Sequence, residues 1–176
     1  MILIGITGTL GAGKGTVVEY LVEQKGFQHY SFRDFIVEEA QKRHLPVSRD
    51  TMTDVANELR RIHSPSYIAE QLYQRAEADG ADAIIESVRN PGEVEFLKSK
   101  ADFHLFAVDA DPKVRYERIQ RRGSATDAVT FEKFLADENR EMHSDDPWHQ
   151  NIRQCIERAD YVFINNDSRE ELFAVV

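Results

Sequence analysis

Cysteine is nearly absent: Cys155 is the one example in 176 residues, which excludes an intrachain disulfide framework and a cysteine-rich zinc site and fits a reducing compartment. No stretch approaches the roughly 20 apolar residues needed to span a bilayer, and the opening MILIGITG has no basic segment ahead of its apolar run. A cytoplasmic chain without an export or anchoring signal is expected. Basic residues are also in deficit, with 22 Lys and Arg against 31 Asp and Glu and a formal charge of −9. An acidic surface repels a phosphodiester backbone and anionic lipid alike, so neither a nucleic-acid polymer nor a membrane is an expected partner. Internal repeats, low-complexity tracts and Pro/Ser-rich linkers are missing as well. A single domain over residues 1–176 is therefore expected.

What remains is an ordinary globular composition, 41% apolar, with enough material for one sizeable core. Short β-branched or aromatic runs stand at residues 2–6, 29–32, 83–85, 103–108 and 161–164, each followed by a longer stretch of helical periodicity. That alternation predicts a five-stranded parallel sheet. Runs such as ILIGI, LFAV and YVFI are apolar on both faces, so the strands are expected to be covered on both sides in a three-layer α/β/α sandwich. Helix starts are predicted at Asn90-Pro91, with Glu93 completing a capping box, at Asp111-Pro112, at Asp146-Pro147, at Ser64-Pro65, and at Ser168 with Glu171. Residues 33–79 read as entirely helical, interrupted near Leu45-Pro46 and Ser64-Pro65. A crossover needs one helix, so the surplus is expected to form a lobe over the carboxyl ends of the strands.

After the first strand comes Gly8-Thr9-Leu10-Gly11-Ala12-Gly13-Lys14-Gly15-Thr16, running directly into an apolar-periodic helix through Val17, Leu21 and Val22. The segment matches G-x-x-x-x-G-K, a pattern that arises by chance in about one chain in twenty of this length. Its position between an opening strand and a helix decides in favour of a phosphate loop. Glycines let successive N–H groups turn inward, the helix terminus adds a positive dipole end, and Lys14, expected as an exposed cation, adds a full charge.

With Gly15 rather than Ser or Thr after the lysine, and Thr16 next, the loop resembles that of the adenylate kinase-like nucleoside monophosphate kinases and their cytidylate kinase and dephospho-CoA kinase relatives. The resemblance covers most of the chain and weakens in the helical lobe. It implies a P-loop NTPase of the kinase type with an acceptor-side lobe (33–79) and a short lid (about 115–140). It further implies ATP as donor, bound through Gly8, Gly11, Ala12, Gly13, Lys14, Gly15 and Thr16, with Mg²⁺ held largely through water and the substrate phosphates. The segment AIIES-VRNP is similar to the region where a strand-end carboxylate organises magnesium water and a nearby arginine grips the acceptor phosphate. Those roles pass to Glu86 and Arg89. The stretch DADPKVRYERIQRRG resembles the helix leading into the lid, whose arginines close over the transferring group. Arg118 and Arg122 take that part ahead of Arg115, whereas Arg121, four residues after Glu117, reads as a surface ion pair. Arg140 reads as another surface pair. Ser31-Phe32-Arg33-Asp34 occupies the place of an S-x-G-D pattern at the start of the acceptor pocket, so Arg33 and Asp34 are acceptor-side candidates. Asn165 and Asn166, in the turn after the last strand, are candidates for the adenine side.

The expected activity is transfer of the γ-phosphoryl group of ATP to a small phosphate-bearing acceptor, a nucleoside or deoxynucleoside monophosphate. Dephospho-CoA is the alternative acceptor. A nucleotide-binding switch or assembly factor with slow hydrolysis is the alternative of another class, and it would not need an acceptor-side arginine.

Overall fold

The computed structural model describes residues 1–100, 102–124 and 128–176. Five strands, β1 (Leu3–Gly8), β2 (Gln28–Ser31), β3 (Ala83–Glu86), β4 (Phe103–Asp109) and β5 (Tyr161–Ile164), form one sheet in the order β2-β3-β1-β4-β5. Every pairing is parallel, with Leu3 opposite Ala83 on one side and Phe103 on the other. The central strand LIGITG is buried along its whole length because helices cover both of its faces.

Side chains alternate across the sheet, and the two faces carry separate cores. Leu3, Ile85 and Leu105 point to one face, where they meet α3 (Arg49–Ile62), α4 (Tyr67–Asp79), α5 (Pro91–Lys98) and α8 (Ile152–Glu157) through Leu59, Ile68, Leu72, Leu97 and Cys155. Ile4, Ile6, Ile84, Val108 and Phe163 point to the other, against Val17, Val18 and Leu21 of α1 (Lys14–Lys25) and Leu172 of α9 (Arg169–Val175). The result is the expected three-layer sandwich. Residues 33–79 form α2 (Phe32–Lys42), α3 and α4, interrupted where Leu45-Pro46 and Ser64-Pro65 stand. After β4 come α6 (Pro112–Arg122) and α7 (Phe131–Met142), within the stretch expected to form a lid; residues 125–127 of that stretch lie outside the described residues. No helix among the described residues is long and apolar enough to cross a membrane.

Local expectations hold where the signal is local. Asn90 and Ser168 both form complete capping boxes, and Asp111 caps α6 with Pro112 at its first position. The strands expected at 29–32, 83–85 and 103–108 shift by a residue at one or both ends, and larger differences appear at other boundaries. β1 starts at Leu3 and runs on to Gly8, because β4 continues to Val108 as its partner while the N–H of Ile2 bonds the Asp82 carboxylate instead. Asp146-Pro147 opens a turn and no helix: Asp146 accepts the N–H of Trp148 at 2.9 Å, and α8 starts only at Ile152, capped by Asn151. The fourth helix starts at Tyr67, since the hydroxyls of Ser64 and Ser66 both bond Glu70 at 3.0 and 2.6 Å and leave the cap without a side-chain bond to the backbone.

Candidate active site

The glycine-rich loop is held on three sides. At Gly8, with φ 133°, a Cβ would lie 2.0 Å from the carbonyl oxygen of Val108, so only glycine lets β1 turn against β4 here. Thr9 Oγ1 donates to Asp109 at 2.6 Å, and Asn165 Nδ2 donates to the carbonyl of Ala12 at 2.8 Å. Gly13, φ 101°, is the N-cap of α1; its missing side chain makes room for that Asn165 amide, which a Cβ would approach to 2.3 Å. A glycine cap contributes no acceptor, so the first-turn amides of α1 are left for an anion.

Lys14 departs from the exposed cation expected of it. The side chain is buried and Nζ curls back to donate to the carbonyls of Gly8 at 3.0 Å and Thr9 at 2.7 Å. Burial, reinforced by the nearby Arg89 charge and offset in part by Glu86 and Glu141, lowers its pKa from 10.5 to about 7. The lysine is thus a cation short of counter-charge beside an anion-binding helix end.

At the end of β3 the chain bends sharply. Ser87 adopts a left-handed conformation, φ 75°, and the N–H groups of Ser87 and Val88 both donate to the carbonyl of Ile6. This bend sets Glu86 and Arg89 on the same cavity. His29, from β2, bonds the Glu86 carboxylate at 3.0 Å. Burial works to raise the Glu86 pKa, yet the His29 bond and the charges of Lys14, His29 and Arg89 hold it below the usual carboxylate value. Arg89 Nη1 donates to Glu141 at 3.0 Å and to Gln150 at 3.2 Å.

A cavity of about 760 Å³ opens over the carboxyl ends of the strands, as an α/β sheet favours. Its wall brings together Gly11, Gly13, Lys14, Gly15, Thr16, Arg33, Glu86, Arg89, Arg118 and Arg122 of the sequence-derived set. Gly8, Ala12, Asp34, Asn165 and Asn166 stand outside that wall. Asp34 sits in the first turn of α2, its N–H bonded to Ser31; Asn166 Oδ1 accepts the N–H of Asp111 and ties the last turn to the start of α6. Arg118 donates to the carbonyl of Asn165 at 2.7 Å. Arg115 is buried and engages both oxygens of Glu138 at 3.0 and 2.8 Å, with further bonds to the carbonyls of Ala110 and Leu10. Arg121 pairs with Glu117, and Arg140 with Asp50 and Asp137.

Sequence reasoning passed over Arg49, His29, Glu141 and Gln150. Arg49, Glu141 and Gln150 line the cavity, and Glu141 joins Arg49 to Arg89. None belongs to a spaced motif. Their signal is spatial, since Arg49 and Glu141 are 92 residues apart in the chain.

Comparison with known proteins agrees with this geometry. A family model described as an AAA domain matches residues 4–149. A UPF0200 protein of Thermococcus kodakarensis is 31% identical over 182 residues, covering 100% of this chain and 94% of its own. Another, from Pyrococcus abyssi, is 30% identical over 172 residues, covering 94% and 88%. Among solved structures, a sugar kinase from Janibacter superposes with a TM-score of 0.59 at 16% identity over 99% of this chain and 91% of that one. The shikimate kinase of Aquifex aeolicus gives 0.55 at 14% identity over 99% and 92%. These likenesses show the fold, and with the glycine-rich loop at the head of α1 the chain belongs to the AAA domain family and to the UPF0200 proteins, as a P-loop NTPase of kinase-like architecture.

Proposed function

We propose that this protein transfers the γ-phosphoryl group of ATP to a small phosphate-bearing acceptor, a nucleoside or deoxynucleoside monophosphate. The observation that carries the reading is one cavity lined by two sets of cationic groups, a first pole of the loop with Lys14 and a second of Arg89 with Arg33. A hydrolytic switch needs the first pole only.

In this reading the loop amides and Lys14 hold the β- and γ-phosphates. Lys14 exchanges its two carbonyl partners for phosphate oxygens, which restores its full charge in a site that now supplies counter-charge. Thr16 lines the donor side, whereas Asn165 and Asn166 act behind the wall, where Asn165 holds the carbonyl of Ala12 and Asn166 the N–H of Asp111. Arg118 and Arg122 place positive charge near the transferring group, where it stabilises a loosely bonded transition state. Arg89 and Arg33 grip the acceptor phosphate, with Asp34 orienting the acceptor, and in-line placement does most of the chemical work.

The donor set suits Mg²⁺ of the water-rich kind. Glu86 is an ionised carboxylate at the strand end, and Gly15 removes the hydroxyl that would ligate directly. When bound, the ion neutralises phosphate charge; Glu86 would orient its water, itself held in place by His29.

The test is ADP release, followed by a coupled assay, across all ribo- and deoxynucleoside monophosphates and dephospho-CoA. One nucleoside monophosphate should stimulate release well above the acceptor-free rate. Stimulation by dephospho-CoA alone reassigns the acceptor, and a slow rate indifferent to every acceptor favours the ATP-dependent switch.

A further inference from the structure

Three carboxylates line the cavity, and Glu141 is the most enclosed, its side chain 4% exposed against 19% for Glu86 and 45% for Glu19. Both of its oxygens are taken by guanidinium groups from distant parts of the chain. Oε1 accepts from Nε and Nη2 of Arg49 at 3.1 and 2.7 Å, and Oε2 accepts from Nη1 of Arg89 at 3.0 Å. Two guanidinium groups converging on a pair of oxygens is the arrangement that binds a phosphate monoester. Here a side chain of the protein fills it. The position is close to the donor site, because the Glu141 charge is one of those acting on Lys14.

The neighbours of this contact repeat it with charges crossed. Arg140 Nη2 lies 3.0 Å from Asp50 Oδ1, so two consecutive residues at the end of α7 meet two consecutive residues at the start of α3: Arg140 on Asp50, Glu141 on Arg49. The two helices have little backbone packing against one another and are joined by these ion pairs. The outer pair is well exposed, 48% and 66%, and adds little on its own, while the inner pair is more enclosed, 19% and 4%. Glu141 is the next-to-last residue of α7, where helix ends detach most readily.

Resting on the reading of a phosphate-bearing acceptor, we propose that Glu141 is an internal stand-in for the acceptor phosphate. It occupies the fork of Arg49 and Arg89 until a phosphate takes its place, and its release unlatches α7 from α3. Two anions cannot share the fork at this separation without strong repulsion, so binding is an exchange. The exchange selects its ligand. A single carboxylate replaces like with like, whereas a phosphate dianion brings an additional charge and a third oxygen, so the fork discriminates against carboxylate acceptors by competition from within.

The experiment titrates inorganic phosphate, with acetate as control, into protein saturated with Mg²⁺ and ADP so that the loop is already filled. Calorimetry is run on the parent, Glu141→Gln and Asp50→Asn, with thermal melting to confirm the fold of each. Removing the competitor should tighten phosphate binding about tenfold in Glu141→Gln, because the parent must first break the partly buried ion pairs of Glu141. Asp50→Asn weakens the outer latch without touching the fork, and its exposed position spares the fold; it should tighten binding about twofold. Acetate should not bind the parent or Asp50→Asn measurably, and any gain should appear in Glu141→Gln alone, where the internal competitor is gone. Equal or weaker phosphate binding in Glu141→Gln overturns the proposal and makes Glu141 an orienting residue for the two arginines. Should Glu141→Gln fail to fold, parental affinity in Asp50→Asn overturns it. Absence of phosphate binding in the ADP-loaded parent and both variants does so too. The kinase reading is judged separately by acceptor-stimulated ADP release: tighter phosphate in Glu141→Gln without any stimulation keeps the stand-in and removes the kinase, and stimulation with weaker phosphate binding does the reverse.

Discussion

Arg60 and Glu93 form an ion pair shut away from solvent, their side chains 1% and 0% exposed, with Nη2 of Arg60 2.8 Å from Oε1 of Glu93. The second carboxylate oxygen accepts the N–H groups of Arg89 and Asn90, both at 2.9 Å. One glutamate thereby anchors the helical lobe, closes the capping box of α5 and positions the backbone of Arg89. Removing one partner leaves a buried charge uncompensated. Glu93→Ala or Arg60→Ala should each lower stability by about 3 to 5 kcal/mol, roughly 10 °C in Tm for a chain of this length. Calorimetric melting checks it. Arg60→Met with Glu93→Leu should recover only part of the loss, because two backbone N–H groups stay unpaired.

Lys14 gives the clearest pH dependence. Its folded pKa, about 7, lies below the ordinary 10.5, so the fold disfavours its charged form. That penalty is complete below pH 7 and fades as pH climbs toward 10.5, so stability should rise across this interval, and Lys14→Met should flatten the rise. Polyphosphate binding restores the charge. At pH 8 the binding of ADP should take up ~1 proton, seen as buffer-dependent heat in calorimetry. No uptake, or the same uptake in Lys14→Met, would show that another group titrates. Lys14→Met should also abolish phosphoryl transfer while the protein remains folded.

Arg122 lies on the cavity wall at the last residue of α6, ahead of Gly123 in a left-handed conformation. An arginine whose contact forms with the transferring group should lower kcat much more than it raises the KM for ATP when removed. Steady-state kinetics of Arg122→Ala decide it, and an effect confined to KM would assign the residue to ground-state nucleotide binding.

Arg89 separates kinase from switch. Loss of a charged, forked hydrogen bond should weaken acceptor binding by about 2 to 3 kcal/mol in Arg89→Ala, with ATP affinity nearly unchanged. Lysine should rescue poorly, since it keeps the charge but not the planar fork. Separate titrations of an ATP analogue and the acceptor measure both. Equal acceptor affinity in parent, Arg89→Ala and Arg89→Lys would leave Arg89 as a partner of Glu141 and Gln150 alone.

Much of this molecule was readable from the chain by itself, and the readable part shares one property: its physics is local. Doubly apolar runs specify strands covered on both faces, Asn90-Pro91-Gly92-Glu93 carries its own cap, and Gly8 to Thr16 encodes an anion loop through backbone freedom and one charge. Local information also misled where a neighbour overruled it. Asp146-Pro147 has the chemistry of a helix start, but Asn90 Nδ2 claims the carbonyls of Pro147 and His149 and holds the segment as a turn. Lys14 looks like an exposed cation until the loop closes around it. The cavity's finer chemistry belongs wholly to the tertiary structure. His29 reaches Glu86 across 57 residues, Arg89 reaches Glu141 across 52, and Arg49 reaches the same carboxylate across 92. A charged residue in a helix reads as solvated because most are; only packing decides which few are stripped of water, and desolvation is what turns Glu141 from a surface carboxylate into a tightly held partner of two arginines.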